Sequence, residues 1–521
     1  NRLQFTDDSS LLTATGEIRL GEVNGTGGTI HPVAVAPAAL DGQNILIAPL
    51  GDATFGGTIS TAPGLGSTVD GQFTVRGMAT QTLSGALAIN NDVIVGHAAG
   101  LTLLGDASLG AATNGAVVLQ GGTFTLDNRV VGNNNRLRDG DSSSTGLETI
   151  GGGTFRFIGN AAGSSETLGR LQLGSSTRAR SGNLNIDVVH TAGSAAATVL
   201  SFAGYQRHSG DSPRNTVDFS AHDDAGGVLP LGLVGPNPRI IIGGTVNLRN
   251  GLLSRSNSTA NDNVGWATVN GQDFATHTIG GIAPVTTVAF PAATAPTANA
   301  LLTGNGEING DTAFNLNSLK IQPTAAGQSL KLNGAGVLAT NGLLLAGDQD
   351  YSIVNGPLGT GGFGGPGGSR YIHVQRAALT MGIALTADNS IAKAGEGLLV
   401  LTNPNNNLLL KSLSINAGTV RATPGTSLVG GKVEFRGGVL EITGVGTYSP
   451  TVGGASGDVN WRGDISANPP DPLQPGVSDA DKGSGGFAAF GNDVTVDLNG
   501  NGPTTFNWEQ PYFVDSNTAL V

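Results

Sequence analysis

The chain has no cysteine, and this one absence excludes disulfides, thiolate metal sites and thiol catalysis together. Aromatic residues are scarce at 5% and charged residues at 12%. A thick core filled by aromatic rings is therefore excluded, whereas a narrow core of small and branched aliphatics fits. No run of eighteen apolar residues occurs, so there is no candidate spanning helix. Lys and Arg number 26 against 38 Asp and Glu, for a net charge of −12. This balance and the lack of a basic patch argue against a nucleic-acid or anionic-membrane partner, since those are bound through clustered cations. Also missing is any stretch that keeps apolar residues at i, i+3, i+4 and i+7 over three turns, so almost no helix is expected. The opening residues NRLQFTDDSS have neither the charged nor the apolar part of a secretory signal, and DSNTALV ends on what reads as the start of a strand. The 521 residues read as a processed or trimmed piece of a longer precursor.

What the chain has in quantity is glycine, 84 residues of it. Glycine supplies the positive φ that frequent turns require. Many glycine pairs open short strands with an apolar residue at every second position. GGTFTLDN covers 121 to 128, GGTFRFIG 152 to 159 and GGTVNLRN 243 to 250, and Gly57-Thr58-Ile59 is a shorter copy. Phe124 and Leu126, Phe155 and Phe157, and Val246 and Leu248 would share one face, with Thr, Asn and Arg on the other. AGTVRA and GGVLEI, at 417 to 422 and 437 to 442, lie twenty residues apart and put Val420, Leu440 and Ile442 inward, alongside Val433 and Phe435 from the strand between them. AFNLNSLKIQP at 313 to 323 places Phe314 and Leu316, then Leu319 and Ile321, around Asn317-Ser318.

A sandwich would need strands of matched length joined by tight hairpins, and dipeptides such as Asp70-Gly71 and Asn333-Gly334 seldom join such strands. A parallel β-helix needs glycine corners at intervals of about twenty to twenty-five residues and one narrow continuous core. The expected fold is thus all-β: one continuous β-helix over 1–521 with almost no α-helix. Loop insertions fall near 204–214, 254–264, 355–370 and 465–486. Roughly twenty coils at about 4.8 Å each would give a rod on the order of 100 Å.

The stretch GLLVLTNPNNNLLLKSLSINAGTVRA, 397 to 422, resembles the autotransporter-associated β-strand repeat of large exported bacterial surface proteins. The likeness rests on the Leu399–Thr402 strand, the bend at Asn403 to Asn407 and the strand entering Ile415 to Val420. It departs at the bend, where Leu408-Leu409-Leu410 stands in place of an aromatic and a Gly-x-Thr. GWATVNGQDFATH, 265 to 277, is similar to a segment that recurs in such proteins. The resemblance implies a right-handed β-helix, secreted or displayed on a bacterial surface, whose signal and anchor lie outside this region.

Candidate chemistry is sparse. Pectin-type hydrolases of this architecture use clustered aspartates, a His and an Arg-x-Lys; the nearest match is AHDDAG, with His222, Asp223 and Asp224. Adjacent residues on a strand face opposite ways, so the two carboxylates would share a site only on a bend. The seven histidines, at 31, 97, 190, 208, 222, 277 and 373, show no metal-ligand spacing. Calcium suits an exported acidic protein better than zinc, but Asp139-Gly140-Asp141 and Asp479-Ala480-Asp481 do not continue into a ligand series. Arg462-Gly463-Asp464 is a chance-level tripeptide. The glycine-rich 361 to 369 lacks the Lys-Ser/Thr of a phosphate loop. Trp266, Trp461 and Trp508 suit packing beneath loops better than sugar-stacking platforms. No catalytic, cofactor-binding or metal residue is assigned. The expectation is a non-enzymatic extracellular structural protein that self-assembles into a filament, fibre or surface layer. The alternatives are a displayed adhesin or glycan-binding passenger and, behind it, a polysaccharide-degrading enzyme.

Overall fold

Glycine-rich or polar turns end the strands after a few residues, and most strands find their hydrogen-bond partners one interval further along the chain. The computed structural model describes residues 2–4, 11–15, 18–27, 29–33, 45–61, 72–89, 91–109, 115–173, 181–207, 214–255, 264–364, 369–385, 390–406, 412–428, 431–461, 483–498, 505–507, 510, 512–514 and 520–521. Among these residues there is no helix, and the strands run from two to eight residues. Pairing is mostly parallel. Thr123–Asp127 lies beside Gly153–Ile158, with Phe124 opposite Phe155. Thr419–Ala422 lies beside Val439–Ile442, with Val420 opposite Leu440. Both intervals seen in the sequence, the longer and the shorter, are therefore single steps across a sheet. Extra residues leave the chain between strands and so do not disturb register.

The strands recur in a fixed order. Gly153–Ile158 belongs to a ten-stranded sheet, Ser164–Leu168 to a three-stranded one and Arg170–Gln172 to an eight-stranded one; Asn183–His190 then returns to the first. A second set of sheets begins near residue 288 and includes one of twelve strands and one of eight. Phe314–Ile321 serves two rows of the larger. Phe314 pairs with Leu338, and beyond Asn317-Ser318 Leu319 pairs with Leu343, so the apolar phase slips by one residue at the bend. In the layer of Leu398–Leu401 an asparagine turn replaces the third strand: Asn406 accepts from Leu385 N–H at 2.8 Å and donates to Ser427 C=O at 3.1 Å, bridging the layers on either side.

Alternation turns one row of each strand inward. Phe124, Phe155, Ile186, Phe219 and Val269 follow one another across five paired strands, all buried. The Phe124 and Phe155 rings stack with centroids 5.7 Å apart. Burying each such side chain contributes about 1.5–3 kcal/mol. The core falls into two main clusters, one running from Val23 to Ile282 with Tyr371 and Ala392 added, the other from Ala300 to Val514. The second set of strands runs back along the first: Lys320 pairs with Asp273, His373 with the Gly265 carbonyl and Asn416 with Thr216. The first set is closed by the antiparallel strands Asp273–Thr278 and Gly281–Pro284. Near its last strands the second is filled by aromatics, with Trp461 stacked on Phe435 at 4.9 Å and edge-on to Phe513 at 5.4 Å.

Two expectations are corrected. GGTVNLRN is not another inward-facing strand, because Ile240 and Ile242 of Pro238–Ile242 already fill that position; Val246 packs half-buried against the core. Leu248 instead pairs antiparallel with Leu253 and is exposed. Within 355–370, Gly362–Gly364 is a strand and Phe363 enters the core. Of the other insertions, 208–213, 256–263 and 462–482 lie outside the described residues, as does 407–411 in the repeat-like stretch.

Phe155→Ala removes the middle of the inward column and is expected to cost about 3–5 kcal/mol, measured as a fall in the urea midpoint with the secondary-structure signal before unfolding unchanged. Thr154→Ala, on the outward face of the same strand, should move that midpoint much less.

Candidate functional site

The outward faces of the strands that carry the Phe124–Val269 column bear polar residues, and parallel register lines these up too. Thr154, Asn185, Asp218 and Thr268 form one row, and Thr125, Arg156, Asp187 and Ser220 the next. In the second row Asp187 is the hub. Its carboxylate accepts from Arg156 Nε at 2.8 Å and the Ser220 hydroxyl at 3.1 Å, and lies 2.8 Å from His222 Nδ1. In the first row Asp218 accepts from the Thr268 hydroxyl at 2.6 Å and Gly271 N–H at 2.8 Å. Burial pushes its pKa up to about 6.

AHDDAG does not form a two-carboxylate site. His222 turns to Asp187, which lies 35 residues earlier in the chain but on the neighbouring strand. Asp223 accepts from Ala225 N–H at 3.0 Å and Gly227 N–H at 2.6 Å, closing its own turn, and Asp224 accepts from Ala192 N–H at 3.4 Å. Asp141 likewise serves a turn: bonds from Ser143 and Ser144 lower its pKa to about 2. Among the described residues no group of three His, Asp or Glu side chains is placed to hold a metal ion. Asp479, Asp481, Arg462 to Asp464, His208 and Trp508 lie outside those residues.

Part of this polar face is covered by the second set of strands. Beside that face, Arg207 is buried with its guanidinium 4.6 Å from the Trp266 ring centre and 5.6 Å from that of Tyr371, whose hydroxyl accepts from Nη2 at 2.8 Å. A desolvated cation over aromatic faces is worth about 2 kcal/mol. Trp266 is thus fully buried, as is Trp461. His373 donates to the Gly265 carbonyl at 2.8 Å, and burial lowers its pKa to about 4, so it stays neutral. Asn416 donates to the Arg214 carbonyl at 2.6 Å and to Thr216 at 3.2 Å. Where these contacts stop, a groove of ≈ 320 Å³ opens between the two sets, reaching Asn185 and Asp218 on one wall and Gln375 and Asn416 on the other.

Sequence reasoning passed over Asp187, Asp218 and Asn185. Each is an ordinary polar position on an alternating strand, and only alignment of successive strands in register shows the rows they form. Asp218 supplies a direct check. Its folded pKa lies above the ordinary carboxylate value, so its stabilising contribution is present at low pH and is lost as pH rises through about 6. Asp218→Asn should therefore melt above the parent at about pH 8 and not at about pH 4, followed by circular dichroism.

No protein-family model, no curated protein and no solved structure matches this chain.

Proposed function

We propose that this is an extracellular structural protein of a bacterial surface. In this reading its parallel strands wind as a β-helix that reverses direction once, and copies join into a filament or layer. The cyclic strand order over three sheets and the inward columns held in register support the winding; the repeat-like stretch at 397 to 422 supports the location. The reading is non-enzymatic, because the carboxylates of Asp223 and Asp187 are committed to a turn and to neighbouring side chains.

The observation that carries self-association is a knuckle at the closed end of the first set. The bend around Gly232 packs against Ala283, and the two segments together present Leu233, Val234 and Ile279 to solvent. Ile279 is 97% exposed and Val234 60%. Large apolar side chains gathered at one surface mark an interaction site. A second copy, with the same acidic but sparsely charged surface, can cover them without burying an unpaired ion.

Negative-stain images and sedimentation over a range of concentrations test the proposal. The parent protein should lengthen into fibres or sheets as concentration rises, and the double variant Val234→Asp, Ile279→Asp should remain short with an unchanged melting temperature. Separate short particles of the parent at every concentration would overturn it.

A further inference from the structure

The groove between the two sets of strands has a lining of unusual uniformity. Its side-chain polar groups are carboxamides, two carboxylates, a threonine and His97, interspersed with bare glycine backbone. Gly152 shows why glycine is needed there: its φ is +92°, and a Cβ would lie 2.7 Å from the Asn183 carbonyl. No lysine or arginine lines the groove. Lys393 underlies the wall at Gly395 and Ala417, but its ammonium is buried and directs its hydrogens to the carbonyls of Gly395, Gly397 and Ala417. An anionic ligand would thus meet carboxylates without a facing cation. A lipid chain would find only Ala417 among apolar side chains.

A neutral, hydroxyl-rich ligand meets neither obstacle. Gln375 offers a donor and an acceptor on one planar group, and Asn183 and Asn185 offer amide donors beside oxygens that already accept from Thr216 and Ser220, whereas Asn416 is held by Ser414, Arg214 and Thr216 and only shapes the wall. A carboxylate accepts two hydroxyls side by side. Thr154, Asn185 and Asp218 come from three consecutive strands in register, so the wall repeats its polar groups at about the 4.8 Å strand spacing. Such a wall suits an extended chain whose hydroxyls also repeat. We propose that this groove binds a linear neutral oligosaccharide, held between Asn185 and Asp218 on one side and Gln375 and Glu396 on the other. The site is separate from the apolar knuckle, so binding and self-association can fail independently.

The test uses the whole chain and a panel of neutral gluco-, manno- and galacto-configured tetrasaccharides, with a sulfated saccharide and spermidine as contrasts, read by calorimetry and saturation-transfer NMR. At least one neutral tetrasaccharide should bind. Asn185→Trp, which fills the groove, and Gln375→Ala, on the opposite wall, should each weaken it about tenfold or more while melting as the parent does. Gln375→Ala keeps the test open where the bulkier change impairs folding. Absence of binding by every neutral tetrasaccharide, affinity unaltered in the variants, or binding confined to spermidine or the sulfated saccharide would overturn the proposal.

Discussion

The parallel ladder of backbone hydrogen bonds between one strand and the strand an interval later is the constraint on which everything else here depends. It fixes the spacing of layers and sets each residue over its counterpart, so a choice made at one position is felt in the column above and below. A column of Phe and Ile is self-consistent, since each side chain covers the next. A polar residue in the same column must bring its own partners. Gln81 pairs in register with Leu101 yet is fully buried, and its amide donates to the Val23 carbonyl at 2.9 Å and the Ala53 carbonyl at 3.3 Å while accepting from Val23 N–H. With these bonds made, its desolvation is offset.

The contacts between the two sets of strands follow a different logic. They include buried polar pairs, Arg207 between two rings, neutral His373 on a carbonyl, Asn416 on Arg214 and Thr216, and Arg214 with Glu434, beside one apolar cluster in which Leu252, Val264, Phe274 and Val285 meet Leu344 and Ala346. Polar groups of this kind tolerate little displacement, because a hydrogen bond lost in a buried place leaves its partners unsatisfied. The polar pairs specify one relative placement of the two sets, which the apolar cluster by itself would leave free to slide. The groove is what remains where glycine backbone takes the place of interlocking side chains.

How much of this was legible in the sequence depends on the range of the interaction involved. Thr123–Asp127, Gly153–Ile158, Thr419–Ala422 and Val439–Ile442 were readable because period-two alternation after glycine is a local signal, and the phase slip at Asn317-Ser318 showed in four apolar residues. Leu248 misled because the same local signal appears where the preceding strand has already filled the core, against which Val246 packs only half-buried. Asp218 and Asn185 looked like any wet face, since nothing nearby in the chain reveals that Gln375 and Asn416 come to lie across from them. The pairing of Arg207 with Tyr371 spans 164 residues and has no periodic signature at either end. Sequence pattern gave the layers; the reversal of direction came only from tertiary contacts.

That reversal carries a consequence for synthesis. A parallel layer is added most readily to an edge that already exists, and the antiparallel pair Asp273–Thr278 and Gly281–Pro284 stops that growth before the second set begins. By then the backbone carbonyl of Gly265, the hydroxyl of Thr216 and the Arg207 guanidinium are all in place on a finished surface. A chain that emerges amino end first thus makes its own template before it makes the part to be laid upon it. The later half need not search for its partner.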